Sequence, residues 1–434
     1  MMKKFYVTLA VLAMVCISSI ALAADVTVGG SVSIRSRNFD SLTLDKNADS
    51  STANQIDTQE RVILNVDAKS GDIKARISIW NDFETLGRFE TRQGIVSAQT
   101  SSASGSTHTY NSNTIGIREG WLLFPVANTG FFVKAGHQLL QLGNGLFFRS
   151  QHFGSDAWVI FRDDGPNHFG FVDVKISEGA TSQSDDVDAY AIIDTFKISD
   201  AAKVGIDITM ANDRKNALGL AGGTNETQAQ NIGVNFAGKL GPVNLKAQFD
   251  QQMGKAKNRN LAGAGTGDAN FKGNEIWVRG DMAMDPVAIN FTAAMGSGPK
   301  VNQKDYNQFI TFLDIDPHYT FLHEYKLAGA CGGLNQGFCN TTALNVGAKF
   351  AATKNLSIGA DLWYLKATEK VASKKTGAVA GATSSDLGTE FDVKISWKLG
   401  DSLVWNWDLG YLAPGDGLGN DAATGIQGIL AYTF

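Results

Sequence analysis

The stretch Ile426-Gln427-Gly428-Ile429-Leu430-Ala431-Tyr432-Thr433-Phe434 sets Ile426, Gly428, Leu430, Tyr432 and Phe434 on one face of an extended chain, with less apolar positions on the other. Period-two alternation is the pattern of a half-buried β-strand. The same alternation recurs along residues 24–434, so the expected fold class is all-β. At the opposite end, Lys3 and Lys4 precede an apolar run from 5 to 22 and an Ala21-Leu22-Ala23 site. That layout reads as a cleavable secretory signal at 1–23. The remainder, 24–434, reads as a single domain.

Beyond residue 23 no apolar run approaches the eighteen or more residues that a spanning helix needs. Membrane insertion must therefore use strands, each of which shows lipid only every second residue. The 47 Gly against 7 Pro suit many strands joined by tight turns, and 19% charged residues at net −5 supply no basic field for nucleic acid. No nucleic-acid partner is expected. Of the three cysteines, Cys16 falls in the leader, where Val15 before it excludes a lipoprotein site. Cys331 and Cys339 bracket a Gly-rich segment in a chain bound for an oxidising compartment, and a loop disulfide is expected. His318 and His323 lack zinc-site spacing, and no Cys-x-x-Cys-His occurs for c-type haem. No metal or other cofactor is expected.

Short connections fall at Ser70-Gly71, 127–130, Asp164-Gly165-Pro166, 199–202, Gly241-Pro242, Asp285-Pro286, Thr353-Lys354 and Gly400-Asp401, all with good turn chemistry. Long ones fall near 40–56, 85–112, 143–155, 178–186, 212–228, 254–271, 297–340, 369–386 and 413–423. Eight short and nine long connections join about eighteen strands, of roughly the 9 to 11 residues a tilted spanning strand needs. The first and last connections are both long, so both termini lie on the short-turn side. Two stretches, 114–126 and 157–176, fit neither phase cleanly and lower the range to sixteen. A further hairpin within 309–327 raises it to twenty. The soluble competitors are a sandwich, β-helix or propeller, and no repeat of 20 to 50 residues is visible.

Face assignment predicts an apolar outer side and a charged inner side throughout. Val26, Val28, Val32 and Ile34 oppose Arg35 and Arg37; Ile73, Ala75, Ile77 and Ile79 oppose Lys74 and Arg76; Phe391, Val393, Ile395 and Trp397 oppose Asp392 and Lys394. The expected inner face carries Arg35, Arg37, Arg61, Lys74 and Arg76 against Asp67 and Asp82. Asp188, Asp194, Asp207, Asp250, Glu275, Asp281, Asp361, Asp392 and Asp408 follow on later strands. Functionally this is a basic ladder facing acidic walls across water; structurally it is cross-strand ion pairing. Both readings stand. The 297–340 connection carries Phe309, Ile310, Phe312, Leu313, Phe321 and Leu322, too apolar to float in water, and is expected to fold into or over the mouth.

An exported chain ending on an amphipathic strand with Phe434 resembles the bacterial outer-membrane β-barrels. That resemblance implies a transmembrane antiparallel barrel in the outer membrane, contact with its lipids, and recognition of Phe434 by the barrel-assembly machinery. Gly136-His137-Gln138 through Leu142-Gly143-Asn144-Gly145, and Leu387-Gly388-Thr389-Glu390-Phe391-Asp392 through Gly410-Tyr411-Leu412-Ala413-Pro414-Gly415-Asp416, resemble the alginate-export type and its porin-like relatives. They cover about a tenth of the chain. Family members often carry Arg where His137 stands, and the inner face here is of mixed sign, so polyuronate transport is not inherited.

The histidines, His108, His137, His152, His168, His318 and His323, stand in no nucleophile motif, and no enzyme is expected. Asp314-Ile315-Asp316 lacks the Gly and distal Glu of an EF-type calcium loop. The expected function is a channel for passive diffusion of small hydrophilic or charged solutes, as monomer or homo-oligomer. The alternative is a sleeve for a partner such as a multihaem cytochrome in an electron conduit.

Overall fold

The computed structural model describes residues 24–45, 53–85, 115–179, 185–214, 216, 220, 226–261, 265–301, 303–313, 319–324, 326–327, 329–331 and 336–434. The leader expected at 1–23, His108, His318 and the Asp314–Asp316 segment lie outside them.

Eighteen strands build the wall. They are β1 (Asp25–Asp40), β2 (Gln55–Ser70), β3 (Ile73–Thr85), β4 (Gly116–Pro125), β5 (Phe132–Gln141), β6 (Phe148–Asp164), β7 (Asn167–Ser177), β8 (Val187–Ser199) and β9 (Ala202–Asp213). The second half comprises β10 (Thr227–Leu240), β11 (Val243–Leu261), β12 (Asn274–Met284), β13 (Val287–Gly296), β14 (Thr341–Ala351), β15 (Leu356–Ala372), β16 (Thr383–Lys398), β17 (Leu403–Pro414) and β18 (Ala423–Thr433). Each pairs antiparallel with its neighbours in sequence. β18 returns to β1 from Ser31↔Thr433 to Asp40↔Thr424, which closes the sheet. Among the described residues no helix is long and apolar enough to cross a membrane.

All eight short connections stand where the turn residues put them. Three long ones are shorter than expected. The chain re-enters the wall at Phe148, so 143–155 contracts to 142–147; β11 runs on to Leu261 and pairs with a short strand at Gly265–Asn270; and 369–386 contracts to 373–382. The segment 309–327 adds no spanning hairpin among the described residues. It contributes only Phe312–Leu313, paired parallel with Phe148 and Arg149.

The two unclear stretches have physical explanations. In β4 the register to β3 slips between Ser78 and Ile79, so Ile79 faces Ile117 while Ser78 faces Glu119. A bulge there inserts Arg118 and reverses the phase. Ile117 and Leu122 both point outward although they are five positions apart. In β6 to β8, by contrast, both faces are apolar. Trp158, Ile160 and Ile192 are exposed outside, while Val172, Val174, Ala189 and Ala191 are buried inside. Alternation is lost where neither side is charged. This corrects the expectation of a charged inner face throughout, and it moves Asp188 and Asp194, which share the phase of Ile192 and Phe196, to the outer face.

Elsewhere the outer face is the apolar one: Val28, Ile77, Ile208, Val346, Phe391 and Tyr411 are each between 46% and 62% exposed. In water such a continuous band would far exceed the few hundred Å² that soluble surfaces tolerate. In lipid it is the expected surface of a transmembrane barrel.

At the seam, Gly30 N–H donates to Phe434 O at 3.0 Å and Phe434 N–H donates to Gly30 O at 3.1 Å. A side chain on Gly30 would collide with the carbonyl of Ile63 and the ring of Phe434. We predict that Gly30→Val, and deletion of Phe434, each reduce the heat-modifiable folded band of membrane protein on electrophoresis. Each leaves seam groups unpaired in a solvent that cannot bond them, at a cost on the order of several kcal/mol. Parental yield of folded protein from both variants would contradict the seam described.

Candidate functional site

Four adjacent strands, β1 to β4, carry the basic side chains inward. Arg37 grips Asp57 with two hydrogen bonds of 2.7 Å, from Nε and Nη2. Arg76 holds Asp67 in the same fashion at 2.7 and 3.0 Å and reaches Glu119 Oε2 at 3.3 Å. Two-pronged pairs of this kind fix geometry as well as neutralise charge. Arg35 instead donates from Nε to the neutral Gln59 at 3.1 Å, and its guanidinium carbon stands 3.5 Å from the centre of the Phe83 ring. Arg61 stands 4.0 Å from that same ring and 3.7 Å from Asp82, which also meets His152 Nε2 at 2.8 Å. Phe83 thus gathers two guanidinium groups by their attraction to its π face. Lys74, opposite Lys69 in register, sits exposed at the short-turn end.

The basic residues are therefore largely paired along the wall, as the structural reading of the sequence expected. The acidic ones divide. Asp250 is buried, accepting from Asn231 at 2.9 Å and Gln248 at 2.8 Å. Asp361 accepts from Asn345 at 3.3 Å and lies 4.0 Å from Lys394 Nζ. Asp408 accepts from Gln427 at 3.5 Å. Asp392 is buried and accepts from the backbone N–H of Phe321 at 3.4 Å.

That last contact introduces the main occupant of the interior. The 297–340 connection touches widely separated parts of the wall: Gln252 on β11 exchanges hydrogen bonds with Ile310, Phe312 N–H donates to Phe147 O, and Lys326 Nζ reaches Gln55 on β2 at 3.3 Å. Glu390 on β16 accepts from Leu322 N–H at 2.5 Å and from His323 N–H at 2.8 Å. Only a segment inside the barrel can reach all of these. Its apolar side chains settle in separate patches. Phe309 packs with Phe147 and Phe148; Phe321, Leu322 and Leu327 pack with Phe39 and Leu412; Phe338 packs with Trp363 and Leu365. Each such burial contributes about 1.5–3 kcal/mol against the cost of ordering the chain. Cys331 and Cys339 are joined as a disulfide within this connection, their Cα atoms 5.9 Å apart.

A second, shorter connection also turns inward. Asn144, at the tip of 142–147, donates its backbone N–H to Gln248 Oε1 at 2.6 Å and its side-chain amide to Ala247 O at 3.0 Å, on β11. His137, on the outer face, pairs with Asp156 at 2.8 Å. Glu390, Glu119 and Phe83 are among the inner residues that the sequence reading passed over, as is Asp57. Glu390 was visible in principle, since it shares the phase of Asp392 two residues on; Glu119 was hidden by the β4 bulge. Among the described residues no group of three His, Cys, Asp or Glu is placed to hold a metal ion.

No protein-family model matches the chain, and no curated protein sequence matches it. Solved structures do match. OccK9 (OpdG) of Pseudomonas aeruginosa aligns at TM-score 0.58 and 10% identity, over 94% of this chain and 98% of that one. A BenF-like porin from Pseudomonas fluorescens aligns at 0.56 and 10%, over 95% and 99%, and OccAB4 of Acinetobacter baumannii at 0.55 and 9%, over 94% and 98%. The fold is that of outer-membrane porins. At these identities the likeness carries the fold alone, and the alginate-export assignment rests on the two short passages that suggested it.

The inward connection carries two groups whose protonation opposes its docking. Lys326 is pushed down to about 7, first by burial and then by Arg37 and Arg35, with Asp57 opposing. His323 is pushed down to about 4 by burial. Both bases are lowered in the docked state, so docking favours their neutral forms. The lysine contribution is complete above about 10.5 and is lost as pH falls to about 7; the histidine contribution is complete above about 6.5 and is lost as pH falls to about 4. We predict that lowering pH from 8 to 5 loosens the connection, seen as faster cleavage by an added protease within 301–338. Lys326→Met should remove the part of the response that lies above pH 7. A cleavage rate flat from pH 8 to pH 4 would contradict the docked geometry.

Proposed function

We propose that this chain is an outer-membrane channel, exported by its 1–23 leader and inserted by the barrel-assembly machinery, that lets small hydrophilic or charged solutes diffuse passively. The observation that carries this reading is a closed wall, apolar outside and polar inside over most of its circumference, narrowed by its own 297–340 connection. A lumen constricted by a folded-in loop selects by size and charge without catalysis or cofactor. The sleeve reading fits less well, since the described residues of the 297–340 connection, among them Ile310, Leu322, His323 and Lys326, occupy the space that a sleeve keeps for its partner.

Single-channel recording tests this directly. Removing residues 301–338 together with Cys339→Ser should raise conductance; an unchanged value would place the connection outside the conducting path. Charge selectivity should depend on the basic side chains of β1 to β4 acting together. A unit charge about 8 Å from a permeating ion is worth roughly 0.5 kcal/mol in water, reduced to about 0.2 at near-physiological salt. Reversing both Arg35 and Arg61 to Glu changes four charge units, about 0.8 kcal/mol or roughly fourfold in ion preference toward cations. Reversal potentials at low and molar salt check this, and the shift should shrink in the latter. An unchanged reversal potential at low salt would place Arg35 and Arg61 outside the conducting path.

A further inference from the structure

On the inner wall of β6 to β8, Val159, Val172, Val174, Ala189, Ala191 and Ile193 line a cavity of about 70 Å³, closed on one side by Leu142 and Phe148. Its surface is almost wholly apolar, and it has room for roughly five water-sized positions. Next to it in register lies a row of acids. Ile193 faces Asp207 on β9, Asp207 faces Gly233 on β10, Gly233 faces Asp250 on β11, and Asp250 faces Glu275 on β12. All three acids are at most 1% exposed. Both oxygens of Asp207 and both of Glu275 have no hydrogen-bond partner among the described residues. The missing side chain of Gly233 lets the first two carboxylates close in: a Cβ there would fall 2.7 Å from each oxygen of Asp207 and 2.8 Å from Asp250 Oδ1. Two carboxylates therefore lean over one spot, where ionised they are costly unless a positive group with N–H donors meets them.

Cavity and carboxylates are two strand steps apart, from Ile193 to Gly233, roughly 10 Å. The arrangement is an apolar trough beside buried, unpartnered acid. We propose that this stretch of inner wall binds organic ammonium ions whose apolar body is about a six-carbon chain or a single ring, the body lying on β6 to β8 and the ammonium over Gly233. It deepens the channel reading and rests on it: the ammonium ion is a solute of that lumen. The basic sector at β1 to β4 lies across the barrel and does not contribute.

Hexylammonium, hexanoate and tetramethylammonium serve as probes on the purified full-length barrel. In KCl, hexylammonium should interrupt single-channel current at concentrations at least tenfold below those at which the other two act. Block is read relative to each variant's own open current. Asp207→Asn and, separately, Ala191→Phe, which fills the trough, should each raise the half-blocking concentration about tenfold; heat-modifiable migration confirms that the variants fold. Saturation-transfer NMR on the barrel in detergent supplies a readout without conduction, with signal expected on the hexyl protons of the amine and lost in Asp207→Asn. Hexanoate acting as strongly as hexylammonium, or folded Asp207→Asn binding it unchanged, overturns the proposal. Absence of current in KCl overturns the channel reading instead, while the NMR result still decides the binding site.

Discussion

A hydrocarbon solvent offers no partner to a peptide group, and this requirement governs the whole molecule. Once strands are the only spanning device, every N–H and C=O at membrane depth must find a neighbouring strand, and the last strand must find the first. The reciprocal bonds between Gly30 and Phe434 complete that circuit. The eight tight turns at one end follow from antiparallel pairing, because each strand must return beside its predecessor. Chain of any length is tolerated only at the other end, and there it appears.

The wall was legible in the sequence because lipid contact imposes period two on residues such as Val26 to Ile34 and Phe391 to Trp397, and because turns such as Gly241-Pro242 punctuate it. Legibility failed where the inside is not water. On β6 to β8 the inner residues pack against Phe148 and Phe309, so Val172 and Ala191 look like the lipid-facing residues beside them. Asp188 and Asp194 then look lumenal in the sequence, because charge ordinarily marks the water-filled side, although their phase on β8 is that of the outward Ile192 and Phe196. On β4 the bulge at Arg118 broke the count itself. Of the inner face, the sequence showed which side chains point inward on β1 to β3 and β16 to β17. It could not show which are partnered. Arg37 with Asp57, and Asp392 beneath Phe321, depend on register and on a loop whose path no periodicity encodes.

The interior combines three kinds of surface that the wall alone would not create. A basic sector is held rigid by two-pronged ion pairs. An acidic pair at Glu390 and Asp392 serves as acceptor for the backbone of the inward connection, in the way that a sheet edge serves a strand. An apolar sector takes the aromatic feet of both inward segments. The 297–340 connection is anchored by backbone groups to carboxylates and by side chains to separate apolar patches, so its path is set at several points along its length.

The Asn144 contacts have a mechanical meaning. A closed hoop of strands keeps its circumference through hydrogen bonds but can flatten, because shear between neighbouring strands costs little until registers slip. The 142–147 tip reaches from the β5–β6 corner to the backbone and side chain of β11, five strands further round, and fastens there. A chord fixed across an arc holds the distance between its ends. Over β6 to β11 the cross-section is thereby braced like a strutted arch. Lateral pressure on that arc is resisted by those two hydrogen bonds, while on the far side the inward connection, held at Glu390 on β16 and Gln55 on β2, spans the remaining arc.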